Sequence, residues 1–142
     1  MATSVYFDAS LLVSLFVIDG FADRARIFIQ DRGPTPVVSD FAAVEFASAI
    51  SRLVRTNELG ADLATLVFSD FDVWRAESAA DCWVESSDVA TASTILRRLD
   101  SSLRAPDALH LAMARRLGAS LATFDERLAE IALANGLEIA PL

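Results

Sequence analysis

Residues 106–128 read PDALHLAMARRLGASLATFDERL, and this stretch carries most of the information about the fold. Its first part is apolar on nearly every side, which predicts a buried helix over residues 105–117. SLAT at 120–123 follows as a short strand, and Asp125 precedes a further helix over 126–135. A helix, a strand, an acid and a helix in this order indicate an α/β layer fold.

The strand–Asp–helix unit occurs twice more, toward the N-terminus. VYFDAS places Asp8 after a strand at 4–7, and VVSDFA places Asp40 after a strand at 37–39. Strands that alternate with helices predict a mainly parallel sheet flanked by helices. The remaining predicted elements are helices over 10–18, 21–31, 40–56, 61–79 and 87–99, a turn at 32–36, and strands at 82–85 and 137–140. In the helix over 61–79, the side chains expected to face inward are Leu63, Leu66, Val67 and Phe71.

Length and composition bound the class of protein. The 142 residues suit a single domain over residues 1–142, and the one cysteine, Cys82, cannot form an internal disulfide. The stretch at 1–8 lacks the features of a signal peptide, and the apolar runs are too short for a membrane helix. We therefore expect a cytoplasmic protein that does not enter the membrane. With 20 acids, 12 arginines and no lysine, the chain is a poor non-specific binder of nucleic acid.

The three aspartates that follow strands have an ordinary explanation. Aspartate is a favoured N-cap, because its carboxylate accepts a hydrogen bond from a free backbone N–H of the first helical turn. Capping is our interpretation of Asp40. In TFDE, Thr123 as cap and Glu126 three residues later offer a capping box for the last helix.

Two other acids are not explained by capping. Glu45 lies inside the helix over 40–56 and flanks its apolar face, so it can face solvent or lean into a cleft beside the sheet. Asp107 follows Pro106 at the start of the buried helix, which suits the helix dipole. An acid at such a semi-buried junction needs a partner, and only Arg104 is near in sequence. A bound cation is a reasonable partner.

Carboxylates that gather at one place repel each other, and a divalent cation removes that penalty. Mg²⁺ and Mn²⁺ prefer oxygen ligands, and such ions can activate a water in phosphodiester cleavage. This chemistry needs no nucleophilic serine or cysteine. The chain has one histidine and contains no GxSxG, HExxH, Walker-type or GxGxxG motif.

The segments FDAS, VEFASAI, PDALHLAMARRLGASLATFDERL and GLEIA, in this order, resemble a PIN-domain protein over essentially the whole chain. More narrowly, they resemble the VapC-type toxin ribonuclease of VapBC toxin–antitoxin modules. The resemblance implies a three-layer fold, RNA cleavage with Mg²⁺ or Mn²⁺, a homodimer and a VapB-like antitoxin partner. It implies catalytic and metal-binding roles for Asp8, Glu45, Asp107 and Asp125, with Ser10 and Thr123 as supporting residues.

The remaining polar residues have less specific readings. His110, three residues after Asp107, is interpreted as a packed core histidine rather than a metal ligand, because the chain offers no other imidazole. The stretch at 80–90 matches the family loosely. The densest basic residues are candidates for contact with RNA phosphates; they are Arg97, Arg98, Arg104, Arg115 and Arg116.

Other function classes stay open on the sequence. A PIN-type fold that has lost catalysis would serve as an RNA- or protein-binding module. A receiver-like, phosphoryl-accepting regulatory domain also places aspartates at strand ends, but such domains use a lysine and this chain has none. Dehalogenase-like phosphatases require a DxD pair after the first strand, and Ser10 occupies the second position here.

Overall fold

The computed structural model of the protein describes residues 4–142. No helix within that range is long and apolar enough to cross a bilayer. The alternation of strands and helices predicted from hydrophobic periodicity is confirmed. The elements, in chain order, are β1 (Ser4–Phe7), α1 (Ala9–Phe16), α2 (Ala22–Arg32), β2 (Thr35–Ser39), α3 (Asp40–Arg55), α4 (Ala61–Ser78), β3 (Ala80–Cys82), α5 (Ser86–Leu96), α6 (Ala105–Leu117), β4 (Ser120–Ala122) and α7 (Glu126–Ala134).

The strands form a parallel sheet with β1 in its interior. Within residues 4–142 the sheet has four strands in the order β3-β2-β1-β4, and each neighbouring pair is parallel. Phe7 at the end of β1 pairs with Ala122 at the end of β4. Because parallel strands end at one edge of a sheet, Asp8 and Thr123 leave the sheet side by side.

Helices cover both faces of this sheet. Alternate side chains of a strand point to opposite faces, so Val5 and Phe7 of β1 enter one core and Tyr6 enters the other. Helices α1 to α4 supply the first core, and α5 to α7 supply most of the second. Phe7 has no exposed surface, and its burial contributes about 1.5–3 kcal/mol. This three-layer arrangement confirms the predicted fold class.

Some predicted boundaries differ from the observed ones. Strand β2 begins at Thr35 rather than at 37, because its parallel pairing with β1 starts there and includes Pro36. Strand β3 is Ala80–Cys82 rather than 82–85, because it pairs with the end of β2. The predicted last strand at 137–140 is reduced to a single bridge between Ile139 and Leu121.

The predicted inward face of helix α4 is confirmed in part. Val67 and Phe71 are buried as predicted, but Leu63 and Leu66 are 53% and 60% exposed, and Ala64 is buried in their place. The helix carries apolar residues on more than one side, so spacing alone did not identify the packed face. The stripe that meets the core at i, i+3 and i+7 starts from the small Ala64, which allows close packing.

The cap of α3 is Ser39 and not Asp40. Ser39 Oγ accepts a hydrogen bond from Ala42 N–H at 2.9 Å, and Asp40 is already the first helical residue. Asp40 Oδ1 instead accepts the N–H groups of Phe41 at 2.8 Å and Val84 at 3.1 Å. Asp40 therefore connects the loop after β3 to the start of α3, because two adjacent cap-forming residues compete and the extended backbone falls on the serine.

Candidate metal centre

Asp8 occupies the carboxyl end of β1 and is only 4% exposed. Its Oδ1 caps α1 by accepting Leu11 N–H at 3.1 Å, and it also accepts the Ser10 hydroxyl at 2.7 Å. Its Oδ2 accepts a short hydrogen bond from the Thr123 hydroxyl, which comes from the end of β4. The capping role of Asp8 is thus combined with contacts to both predicted supporting residues.

A second arm of the same network leads to Asp125. The Asp125 N–H donates to Thr123 Oγ1 at 3.0 Å, and the Phe124 N–H donates to Ser10 Oγ at 3.0 Å. Asp125 caps α7 by accepting Leu128 N–H at 3.1 Å. The expected capping box headed by Thr123 is therefore wrong, because the Thr123 hydroxyl is engaged with Asp8 and the helix begins two residues later.

The charge of this carboxylate pair is not balanced by the chain. Burial raises the pKa of Asp8 above its ordinary value, although hydrogen bonds from Thr123 and Ser10 and the nearby His110 act in the opposite direction. Within residues 4–142, neither Asp8 nor Asp125 forms an ion pair with a basic side chain. Hydroxyl and N–H dipoles are the partners of Asp8, so a bound cation would stabilise its ionised form.

Glu45 lies in the second turn of α3 and leans toward the sheet end rather than into solvent. Its Oε1 forms a short hydrogen bond with His110 Nε2 of α6. His110 is 3% exposed, as expected for a core histidine, but it is also bonded to an acid of the candidate site. On its other side, His110 Nδ1 lies 2.6 Å from the Tyr6 hydroxyl, which lies 2.7 Å from Ser39 Oγ.

Asp107 lies in the first turn of α6, where Pro106 precedes it. Its Oδ2 accepts the Arg104 N–H at 3.3 Å and contacts Arg127 Nη2 at 3.2 Å. The Asp107 side chain is 17% exposed and that of Arg127 is 42% exposed, so the ion pair is partly open to solvent. The partner that the sequence left open is thus in part a basic residue of α7, 20 positions later.

The structure connects the four acids in two pairs. Asp8 and Asp125 are joined directly through Thr123. Glu45 and Asp107 are joined through α6, because His110 contacts Glu45 and stands one helical turn after Asp107. Burial raises the pKa of Tyr6 above its ordinary value, and the nearby charges of Asp8 and Glu45 add to that rise. Asp8 from the first pair and Glu45 from the second are therefore both close enough to Tyr6 to affect its pKa.

The donor set fits a hard divalent cation. The groups available are carboxylate and hydroxyl oxygens, which Mg²⁺ and Mn²⁺ prefer. In the part of the chain that the structure describes, residues 4–142, no three His, Cys, Asp or Glu side chains are close enough together to enclose a metal ion directly. Mg²⁺ commonly takes one or two carboxylates and retains several waters, so an open arrangement of this kind suits it.

A groove of about 650 Å³ opens beside Asp125, one of the four candidate acids. Ser10, Asp125 and Arg52 of α3 are among the residues that line it. The rings of Phe21 and Phe124 stack at 4.6 Å at its margin. The groove therefore combines an aromatic pair with Arg52 and the acids Asp19, Glu58 and Asp125.

Two of the five arginines suggested for RNA contact are engaged by other side chains of the protein. Arg116 binds Asp88 through Nε at 2.8 Å and Glu85 through Nη1 at 3.3 Å, so its guanidinium is engaged within the protein. We assign Arg116 to the packing of α5 against α6 rather than to RNA binding. Arg98 donates to Asn135 Oδ1 at 3.1 Å. The residues that remain candidates for phosphate contact are Arg97, Arg98, Arg104 and Arg115.

Sequence reasoning did not identify three residues that contact the candidate acids directly or through His110. Tyr6 and Ser39 are fully buried polar residues at the ends of β1 and β2, and Arg127 is the partner of Asp107. The signal that was present is a polar side chain in an otherwise apolar buried strand, which occurs at both Tyr6 and Ser39. Nothing in the sequence pairs Arg127 with Asp107.

Solved structures with this fold include several from toxin–antitoxin modules. VapC20 of Mycobacterium tuberculosis, described as a toxin that cleaves the sarcin–ricin loop, is 20% identical, with a TM-score of 0.72 over 96% of this chain and 99% of that chain. VapBC2 of Rickettsia felis, bound to a DNA fragment from its promoter, is 12% identical, with a TM-score of 0.69 over 96% of each chain. A toxin–antitoxin complex of Klebsiella pneumoniae is 15% identical, with a TM-score of 0.60 over 87% of this chain and 88% of that chain. At these identities the likeness shows a shared fold.

No curated protein sequence matches the chain significantly. The family model is more decisive, because it covers most of the chain, from β1 to the end of α7. A model of the PIN domain matches residues 5–133, and the protein therefore belongs to the PIN domain family.

Proposed function

We propose that the protein is a metal-dependent endoribonuclease and the toxin component of a VapBC-type toxin–antitoxin module. One observation carries the proposal: the buried Asp8 carboxylate is held by hydroxyl and N–H donors without a basic partner within residues 4–142. A carboxylate kept in this state is poised for a cation. Membership of the PIN family and the structural likeness to VapC20 support the choice of nuclease chemistry.

Each residue has a distinct role in this proposal. Asp8, Glu45, Asp107 and Asp125 would hold Mg²⁺ or Mn²⁺, which supplies polarisation of a phosphodiester and activation of water for in-line hydrolysis. Ser10 and Thr123 orient Asp8 through their hydroxyl groups. Thr123 also receives the Asp125 N–H, so one hydroxyl fixes the spacing of two acids.

RNA is the substrate that the surroundings of the site favour. The net charge of −8 opposes long-range attraction of a polyanion, so binding must rely on the metal ion and on local contacts. The stacked Phe21 and Phe124 rings at the groove margin offer an apolar face against which an unstacked base can pack. Arg52 lies within the same groove as a phosphate partner.

The decisive experiment compares the same substitution at two strand ends. Asp8→Asn is expected to abolish cleavage of ribosomal or transfer RNA in Mg²⁺ or Mn²⁺. Asp40→Asn is the matched control, because Asp40 also follows a strand but its Oδ1 serves two backbone N–H groups that an amide oxygen can still accept. Equal cleavage by wild type and Asp8→Asn would overturn the assignment, and metal binding without any cleavage would favour a silent binding module.

The toxin role predicts further properties of the whole protein. Wild-type protein produced in the cytoplasm of its host should arrest the growth of that host. The Asp8→Asn variant should not. Co-expression with the product of a neighbouring small reading frame should relieve the arrest if that product is a VapB-like antitoxin. A homodimer should appear in sedimentation, and the exposed Leu63 and Leu66 of α4 offer apolar surface for an interface. Absence of growth arrest would remove the toxin role and leave the nuclease role intact.

A further inference from the structure

The Glu45 carboxylate is attached to a buried chain of hydrogen bonds that the proposed nuclease chemistry does not use. The chain runs from Ser39 through Tyr6 and His110 to Glu45. We propose that His110 is a positioning residue whose Nε2–H fixes the Glu45 carboxylate for the metal ion, and that Tyr6 and Ser39 set the His110 tautomer. The proposal rests on the proposed function for the metal and on the observed contacts for the geometry.

The direction of the hydrogen bonds is set at the Glu45 end, because a carboxylate accepts and cannot donate, and the donors at the other end are compatible with it. Ala42 N–H can only donate, and it donates to Ser39 Oγ at 2.9 Å. Ser39 can then donate its hydroxyl proton to the Tyr6 oxygen, and Tyr6 can donate its own to His110 Nδ1. With Nδ1 as an acceptor, the neutral imidazole carries its proton on Nε2, which faces Glu45. All donors therefore point toward the carboxylate.

Burial keeps this direction fixed. Tyr6 and Ser39 have no exposed surface, and the His110 side chain is 4% exposed. Burial raises the pKa of Tyr6 above its ordinary value, so its hydroxyl remains a donor. The His110 ring also meets the Tyr6 ring at 5.6 Å and the Phe41 ring at 5.0 Å, both edge to face. Contacts on two sides leave the imidazole little freedom to rotate away from Glu45.

The hydrogen-bond chain is buried at Ser39 and partly exposed at Glu45. The Glu45 side chain is 31% exposed, and His110 engages one of its oxygens, Oε1. A carboxylate has a second oxygen, which it can offer to a cation in the cleft. A glutamate has three rotatable bonds, so a fixed contact at Oε1 reduces the side-chain entropy lost when a metal binds. Contacts that orient metal-binding carboxylates commonly change metal affinity by about 10- to 100-fold.

The tautomer can be measured directly, because the chain has one histidine. Nitrogen-15 NMR of the metal-free protein, recorded with the imidazole neutral, should show a protonated Nε2 and an unprotonated Nδ1. In Tyr6→Phe, which removes the donor to Nδ1, the two tautomers should become mixed. A proton on Nδ1 in the wild-type protein would overturn the proposal, and this outcome is independent of any metal.

Metal affinity tests the consequence. His110→Leu keeps an apolar side chain between Tyr6 and Phe41 but has no donor, so Mn²⁺ binding measured by calorimetry should weaken about 10-fold. His110→Gln should recover most of the affinity, because its amide N–H can donate to Glu45 and its amide oxygen can accept from Tyr6. Tyr6→Phe should give an intermediate loss. If His110→Leu does not fold, His110→Gln and Tyr6→Phe still decide the question.

A control separates positioning from general loosening of the core. Cys82 is buried in the same core as Tyr6, but its sulfur contacts Arg116 of α6 and the Trp83 carbonyl instead of His110. Cys82→Ala should lower the free energy of unfolding without changing Mn²⁺ affinity. Wild-type affinity in a folded His110→Leu variant would overturn the positioning role alone. Absence of Mn²⁺ binding by the wild type itself would overturn the proposed function and this role with it.

Discussion

Asp8 and Asp88 are buried to a similar degree, with 4% and 2% of their surface exposed, but their surroundings differ. Asp88 receives Arg116 through Nε at 2.8 Å and Nη2 at 2.9 Å, and the Glu85 N–H at 2.9 Å. Although burial acts to raise it, the pKa of Asp88 is held below its ordinary value by these contacts. Burial raises the pKa of Asp8, an effect opposed only by hydroxyl and N–H donors and the nearby His110, and no basic side chain within residues 4–142 forms an ion pair with it.

The difference separates a buried aspartate whose charge is balanced within the protein from one whose charge is not. A buried carboxylate with a bidentate arginine is complete within the protein and fixes α5 against α6. A buried carboxylate without such a partner costs stability unless something else supplies positive charge. The proposed cation at Asp8 would take the place that Arg116 takes at Asp88.

The strongest test of the different roles of Asp8 and Asp88 is to remove each charge in turn. Asp8→Asn should reduce RNA cleavage by about 100-fold or more, while leaving the free energy of unfolding of the metal-free protein unchanged or slightly higher. Asp88→Asn should leave cleavage per folded molecule unchanged and lower the free energy of unfolding by about 1.5–3 kcal/mol. Cleavage assays and urea unfolding of both variants decide it. The assignment would be reversed if Asp8→Asn lowered the free energy of unfolding and Asp88→Asn abolished cleavage.

Replacing Arg116 tests the structural role of the Asp88–Arg116 pair by itself. Arg116→Met leaves the Asp88 carboxylate buried without its counter-charge, and the free energy of unfolding should fall by about 3 kcal/mol. Arg115→Met is the control, because Arg115 is an exposed neighbour on the same helix, and it should change stability by less than about 0.5 kcal/mol. Equal stability of the two variants in urea would show that the buried pair is not a structural element.

Adding Mn²⁺ tests the proposed cation site at Asp8. Free Mn²⁺ at about ten times its dissociation constant should raise the free energy of unfolding of the wild type by about 1.4 kcal/mol. The same addition should leave Asp8→Asn unaffected, whereas Asp88→Asn should gain as much as the wild type. Removal of the ion with EDTA should reverse the gain. A similar gain in Asp8→Asn would place the ion elsewhere.

The smallest expected effect is the acid dependence of the Asp88 pair. Because the pKa of Asp88 is lower in the folded protein than in the unfolded chain, its contribution is present above about pH 3.9 and is lost as the pH falls through the folded value. The stability difference between wild type and Asp88→Asn should therefore be largest near neutral pH and shrink below about pH 4. A difference that stays constant with pH would contradict the assigned charge state.

Local signals accounted for the architecture and for much of the site. The strand–Asp–helix units at Asp8 and Asp125 place both acids at one sheet edge, because parallel strands end together. The local sequence did not predict the structure where two interpretations had equal support. Ser39 and Asp40 are both good caps, and α4 offers more than one apolar face, so packing made the choice in each case.

The sequence by itself determined the order of the acids, the alternation of strands and helices, and the apolar character of α6, because these depend on neighbours along the chain. The tertiary structure alone decided the partners of those acids. Glu45 meets His110 from 65 positions away, Asp107 meets Arg127, and Asp88 rather than Asp8 receives an arginine. Such pairs depend on how helices pack across both faces of the sheet. Local periodicity does not predict contacts between residues that are far apart in the sequence.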